Sequence, residues 1–184
     1  MDCYFRRCAL CGNAFCSIRR DFFDQLCKLH QKQMDKKLVV TNTIEINAPA
    51  STVWNALVNP AETKKYMFGC ETVSDWKPGS DLLWQGNYEG KNMVFVKGKI
   101  IEIVPEDFLS YTTIDPNSTI ADVEENYLTV TYELQEENGK TKLIVTQGDY
   151  ATVADGEKRF RETMQGGGWE PILIQIKKLV ETGS

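Results

Sequence analysis

Gly166-Gly167-Gly168-Trp169-Glu170-Pro171-Ile172-Leu173-Ile174-Gln175-Ile176-Lys177-Lys178-Leu179-Val180-Glu181 is the stretch on which the fold turns. Trp169, Ile172, Leu173, Ile176, Leu179 and Val180 recur every three or four residues, which predicts a helix with one apolar stripe. Lys177, Lys178 and Glu181 fall on its other side. Inside a helix each of the three glycines would cost about 1 kcal/mol against alanine. They therefore predict a kink, a break, or a place where backbone approaches something closely. Ala154 to Gln165, just upstream, reads as helix with Phe160 and Met164 four apart. A striped helix needs a surface to bury its stripe on, and the preceding hundred or so residues supply a sheet.

Working back from the helix, Lys140 to Tyr150 reads as a strand that pairs through Asn138-Gly139 with Asn126 to Glu136. Asn-Gly is the strongest short-range hairpin signal. In the earlier strand Leu128, Val130, Tyr132 and Leu134 alternate inward. Before it come a polar loop, Asp115 to Glu124, and a strand, Phe108 to Ile114. Asn92 to Val104 is long and changes phase. Val94 and Val96 lie on one parity and Ile101 and Ile103 on the other, so a bulge is expected near Gly98. Asp81 to Tyr88, ending at Gly90, and Glu71 to Trp76, closed by Lys77-Pro78-Gly79, are two further strands.

The first strand runs from Leu38 to Asn47, with Val40, Ile44 and Ile46 on one face and Thr41, Thr43 and Glu45 on the other. Ala48-Pro49 ends it. A helix from Ala50 or Ser51 then buries Val53, Trp54 and Leu57. Asn59 caps a second short helix with Pro60 at its first position, running to about Tyr66. One strand, two short helices, six strands and a terminal helix make an α+β order, with a curved antiparallel sheet around a long C-terminal helix.

Cysteine usage divides the chain. Cys3, Cys8, Cys11, Cys16 and Cys27 precede Met34, and only Cys70 follows. Two readings of residues 1–37 stay open. Cys8-x2-Cys11 and Cys27-x2-His30 have the spacing of three thiolates and one imidazole around zinc, with Cys27 and His30 on one helix face. Alternatively the segment is a Cys-rich extension upstream of a natural start at Met34, carrying free thiols. The domain proper is 38–184.

Of the 184 residues, 42% are hydrophobic and 26% charged, and the net charge is −5. That balance suits a globular domain and argues against nucleic acid, whose affinity rests on neutralising phosphates. No run of about 18 apolar residues predicts a membrane span, and no apolar stretch with a cleavage site predicts a leader. The expected compartment is the cytoplasm.

Three pieces, in this order, carry a resemblance: Ile46-Asn-Ala-Pro-Ala-Ser-Thr-Val-Trp54-Asn-Ala-Leu57, Gly98-Lys-Ile-Ile-Glu102-Ile-Val-Pro105-Glu-Asp-Phe-Leu109-Ser-Tyr-Thr112, and Gly168 to Glu181. Leu38 to Glu181 resembles the START-like, helix-grip superfamily, also called SRPBCC. More narrowly it resembles the domain homologous to activators of the heat-shock protein ninety ATPase. The resemblance implies a cavity between sheet and terminal helix, and contact with a chaperone as an alternative role.

For the lining of that cavity the sequence offers Trp84, Phe95, Tyr111, Tyr132, Phe160 and Met164, with Tyr66, Met67 and Phe68 near its mouth. The turn with Phe160, Met164 and the glycines would be its adjustable wall, and the stripe from Trp169 its packed anchor. Apolar walls with few polar groups suit a lipid-like or aromatic ligand. The only histidine, His30, lies outside the domain, so no Ser-His or Cys-His pair is expected within it. Cys70 reads as a small buried hydrophobe. Glu71, Glu89 and Asp149 could act as bases only if buried. The expectation is a binding protein rather than an enzyme, with no cofactor and no bound metal at this site. The alternatives are a protein-interaction module with chaperone or homodimer contact, and a regulatory or stress-related sensor fused to a zinc module.

Overall fold

In the computed structural model residues 37–183 are described. The candidate zinc residues Cys8, Cys11, Cys27 and His30, and the proposed start at Met34, lie outside that range. Seven strands form one antiparallel sheet: β1 Val40–Ile46, β2 Glu71–Ser74, β3 Asp81–Tyr88, β4 Lys91–Val104, β5 Phe108–Thr113, β6 Leu128–Glu137 and β7 Lys140–Gly148. Their spatial order is β1-β7-β6-β5-β4-β3-β2. Between β1 and β2 come α1 Ala50–Val58 and α2 Pro60–Tyr66, and after β7 come α3 Gly156–Gln165 and α4 Glu170–Thr182.

Local chemistry sets these boundaries. The Asn59 side chain accepts the Ala61 N–H at 3.0 Å, with Pro60 opening α2; proline has no N–H to leave orphaned there. Asn138 and Gly139 both take positive φ in the β6–β7 turn, as a two-residue turn that follows strand twist requires. The C-terminal helical segment is two helices, not one. Gly167 and Gly168 have φ of +83° and +62°, which no α-helix accommodates.

The phase change in β4 is real, but two register shifts produce it. One lies opposite Trp84 and Gln85, the other between Ile100 and Glu102. The expected bulge near Gly98 is thus split to either side of it. Gly98 has its own reason: a Cβ there would lie 1.6 Å from the Thr112 carbonyl oxygen.

Strand register places the core. Val40, Gln147, Val130, Tyr111 and Ile100 oppose one another across β1, β7, β6, β5 and β4. Asn42, Val145, Tyr132 and Leu109 form the next inward row. Onto this concave face α4 lays Leu173, Ile176 and Leu179, all buried, while Ile174 points out. Val53, Ala56 and Leu57 of α1 complete the cluster. Each fully buried aliphatic side chain contributes about 1.5–3 kcal/mol, so the stripe read in the sequence is what holds α4 to the sheet. A smaller cluster, Val40, Leu128 and Tyr150 with Phe160 and Val153 against it, anchors α3.

Candidate functional site

The inner face is not filled along its whole length. Beyond Tyr132 a cavity of about 450 Å³ opens between the sheet, the turn Met67–Cys70 after α2, and Trp169. Its size falls within the usual range of small-molecule sites. The central row contributes Tyr111, Val130 and Gln147 to its floor. Trp84 and Val96, paired across β3 and β4, form one side. Phe95 is the residue that the first register shift leaves unpaired. A bulge of this kind brings two successive side chains toward one face, and Phe95 and Val96 both line the cavity.

The mouth is aromatic. Phe68 is 90% exposed and sits at φ +53°, followed by Gly69 at +83°. A bulky aromatic in the left-handed region is an outlier and is found where a site over-determines the backbone. Tyr88 meets Phe95 edge-on, 6.5 Å between ring centres. Cys70 lines the wall beside Gly86, where a Cβ would come within 3.2 Å of its sulfur.

Trp169 closes the inner end. Its backbone N–H is held by the Asn42 side chain at 2.9 Å, and its indole N–H donates to Gln147 Oε1 at 3.0 Å. Its ring stands edge-on to Tyr132 at 5.7 Å. The Tyr111 and Tyr132 hydroxyls lie 3.3 Å apart. Burial pushes the Tyr66, Tyr111 and Tyr132 phenols well above their ordinary range, so all three stay neutral at physiological pH. Burial also raises the Cys70 thiol. None of the lining side chains is charged.

Of the nine side chains that the sequence offers for the site, the structure brings Met67, Phe68, Trp84, Phe95 and Tyr111 together around the cavity. Tyr132 and Tyr66 stand behind the wall. Tyr66 is buried and donates its hydroxyl to the Ala56 carbonyl at 3.1 Å. Phe160 packs on Tyr150 at 5.7 Å in the smaller cluster, and Met164 is 52% exposed. The break at Gly167 and Gly168 leaves Phe160 with that cluster, so neither Phe160 nor Met164 lines this cavity, whereas Trp169 does. Sequence reasoning also missed Gln147, Cys70, Tyr88 and Thr113. For Gln147 the signal was present: it shares the inward parity of Thr141, Leu143 and Val145.

Of the three acids considered as bases, two hold structure and none is fully buried. Glu71 pairs with Lys64 at 3.6 Å, Glu89 is exposed in the β3–β4 turn, and Asp149 accepts the Leu38 and Ala151 N–H groups. A larger groove of about 690 Å³ lies on the opposite face, under the loop after β5. Two of its charges satisfy each other: Lys97 binds Asp122, which also accepts the Tyr127 hydroxyl at 2.7 Å. This network tethers the loop, while Asp81, Lys99 and Glu124 also line the groove.

An antiparallel sheet curled around a C-terminal helical segment, with an apolar cavity beneath it, defines a START-like, helix-grip domain. Residues 47–181 match the family described as Activator of Hsp90 ATPase homolog 1-like protein, and the chain belongs to that family. The solution structure of ChR145 from Cytophaga hutchinsonii is 35% identical, over 80% of this chain and 96% of that one, with a TM-score of 0.64. NE0264 from Nitrosomonas europaea is 21% identical over 81% and 97% of the two chains, with a TM-score of 0.61. The Aha1 dimer from Colwellia psychrerythraea is 15% identical over 79% and 98%, with a TM-score of 0.58. The last two likenesses bear on fold alone. No curated protein matches the chain. Among the described residues no helix is long and apolar enough to cross a membrane.

Proposed function

We propose that residues 38–184 form a binding domain for a small hydrophobic ligand, lipid-like or aromatic, held in the cavity between the sheet and the C-terminal segment. The observation that carries this is the wall. It bounds about 450 Å³ with aromatic and aliphatic groups from four strands, the turn after α2 and Trp169, and contains no charged side chain. A core built only for stability would bury the apolar surface that faces this volume, at about 25 cal/mol per Å². We read the role as binding, and among the described residues the cavity wall around Cys70 carries no histidine or carboxylate.

Native mass spectrometry of the purified full chain is the test, joined to titration with the neutral fluorophore N-phenyl-1-naphthylamine. A retained apolar ligand, or saturable one-to-one uptake that Thr113→Phe reduces, is expected. A protein that carries nothing and takes up no fluorophore would overturn the proposal.

The family description supports a second reading, contact with a chaperone ATPase, for which the exposed Phe68 ring offers an apolar contact point. Addition of the chain to a chaperone ATPase assay tests it. Unchanged turnover with no binding would sink it.

A further inference from the structure

The cavity has an unbalanced set of hydrogen-bonding groups. Trp169 carries an indole N–H, which can only donate. The Gln147 side chain beside it must therefore present its oxygen to the indole, as it does at 3.0 Å. That fixes the orientation of the amide and leaves its NH₂ group without an acceptor among the described residues. Tyr111 and Tyr132 share a single contact between two hydroxyls. Such a contact uses one proton of the two. When Tyr132 donates, the Tyr111 proton is left for the cavity that Tyr111 lines.

Trp84 repeats the pattern. It is only 5% exposed, and its indole N–H makes no hydrogen bond among the described residues. No fully enclosed side-chain nitrogen or oxygen lacks a partner there. The Trp84 nitrogen therefore keeps some open space beside it, and Trp84 is one of the residues that line the cavity.

We infer that the cavity selects a neutral aromatic ligand bearing a carbonyl-type acceptor, read by the Gln147 amide, the Tyr111 hydroxyl and the Trp84 indole. This rests on the binding role proposed above and narrows its ligand class. A ligand without an acceptor leaves buried donors unpaired, which sites of this kind discriminate against strongly. A carboxylate would satisfy the donors, but it would enter an apolar wall with no cation to compensate it. Neutral phenols and a protonated thiol add none. Plain hydrocarbons and fatty-acid anions are thus both disfavoured.

Three probes on one ring system separate these cases: 9-fluorenone, fluorene and fluorene-9-carboxylate. Each is titrated into the full chain and followed by quenching of tryptophan fluorescence. The ketone should bind about tenfold more tightly than the hydrocarbon, as one well-placed hydrogen bond allows, and at least that much more tightly than the carboxylate. Gln147→Leu should shrink the ketone preference while fluorene affinity stays within about twofold. Because Gln147→Leu also removes the partner of Trp169, Tyr111→Phe and Trp84→Phe serve as independent variants. Equal binding of ketone and hydrocarbon, or tighter binding of the carboxylate, overturns this inference while the binding role stands. Failure of all three probes to bind also overturns this inference, and the binding role falls with it only if the chain retains no ligand in native mass spectrometry and takes up no N-phenyl-1-naphthylamine.

Discussion

The Asn42 side-chain oxygen accepts the Trp169 backbone N–H at 2.9 Å, tying the middle of β1 to the residue that opens α4. The same oxygen lies 2.6 Å from where a Cβ on Gly168 would stand, and Val40 Cγ1 lies 2.8 Å from it. The chain can reach this bond only because residue 168 has no side chain and sits at φ +62°. One contact therefore fixes the register of α4 on the sheet and the position of the Trp169 ring over the cavity.

The glycines of the break differ in consequence. Gly167 is at φ +83°, and a methyl added there would meet only Pro171 ring atoms at about 3.5 Å, whereas one on Gly168 meets Asn42 and Val40. Left-handed backbone costs a non-glycine residue about 1–2 kcal/mol. Gly167→Ala should lose about that. Gly168→Ala adds overpacking and should lose about 2–4 kcal/mol, with weaker ligand binding as Trp169 shifts. Urea denaturation of the two variants checks the order; equal losses would refute this account of the break.

The buried phenols give the fold an alkaline limit. Burial raises Tyr66, Tyr111 and Tyr132 above the usual value near 10. The folded state then holds protons that the unfolded state releases. This stabilisation is fully present below pH of about 10 and is lost as pH rises beyond it. The urea midpoint should be flat from pH 7 to 9 and fall by pH 11. Phenolate absorbance at 295 nm should show these three tyrosines ionising only with unfolding. Their ionisation in a chain that keeps its near-ultraviolet dichroism would contradict the prediction.

Much of this fold was legible because its signals are local. Alternation in β6, the Asn138-Gly139 turn, the Asn59-Pro60 cap and the α4 stripe each need only neighbouring residues, and each element formed where expected. The site was half legible for the opposite reason. Trp84 and Tyr111 are inward on strands, and strand parity can be read, whereas Phe95 joins Val96 on the wall through a register shift that parity does not report. Trp169 reads from its spacing as part of the packed stripe, but it precedes the helix, and two positive-φ glycines aim it at Gln147 across the fold. Phe160 and Met164 share helical spacing, yet nothing local reports that α3 belongs to a different cluster.

Cys70 should report on the state of the cavity. It lines the wall, and burial raises its thiol above the ordinary range. The thiolate is the reactive form, so iodoacetamide at pH 8 should alkylate it more slowly than free cysteine. Peptide-resolved mass spectrometry separates it from the five cysteines before Met34. Saturation with N-phenyl-1-naphthylamine should slow it further. A rate matching free cysteine, or one indifferent to the fluorophore, would place the thiol away from the ligand.

Phe68 offers the clearest separation of structure from function. At 90% exposure its ring gives the core little, and at φ +53° its backbone is strained, at a cost of roughly 1 kcal/mol. For stability alone glycine would suit the position better. Phe68→Gly should therefore leave stability unchanged or raise it by up to about 1 kcal/mol. It also removes an aromatic from the cavity mouth. If the ring covers on the order of 40 Å² of bound ligand, at about 25 cal/mol per Å² its loss weakens binding about fivefold. Thermal unfolding and N-phenyl-1-naphthylamine titration on one preparation measure both effects. Higher stability with weaker uptake would show that the strained turn is maintained for the ligand. Unchanged uptake would leave the ring no part in binding and would point to the chaperone contact as the reason it is exposed.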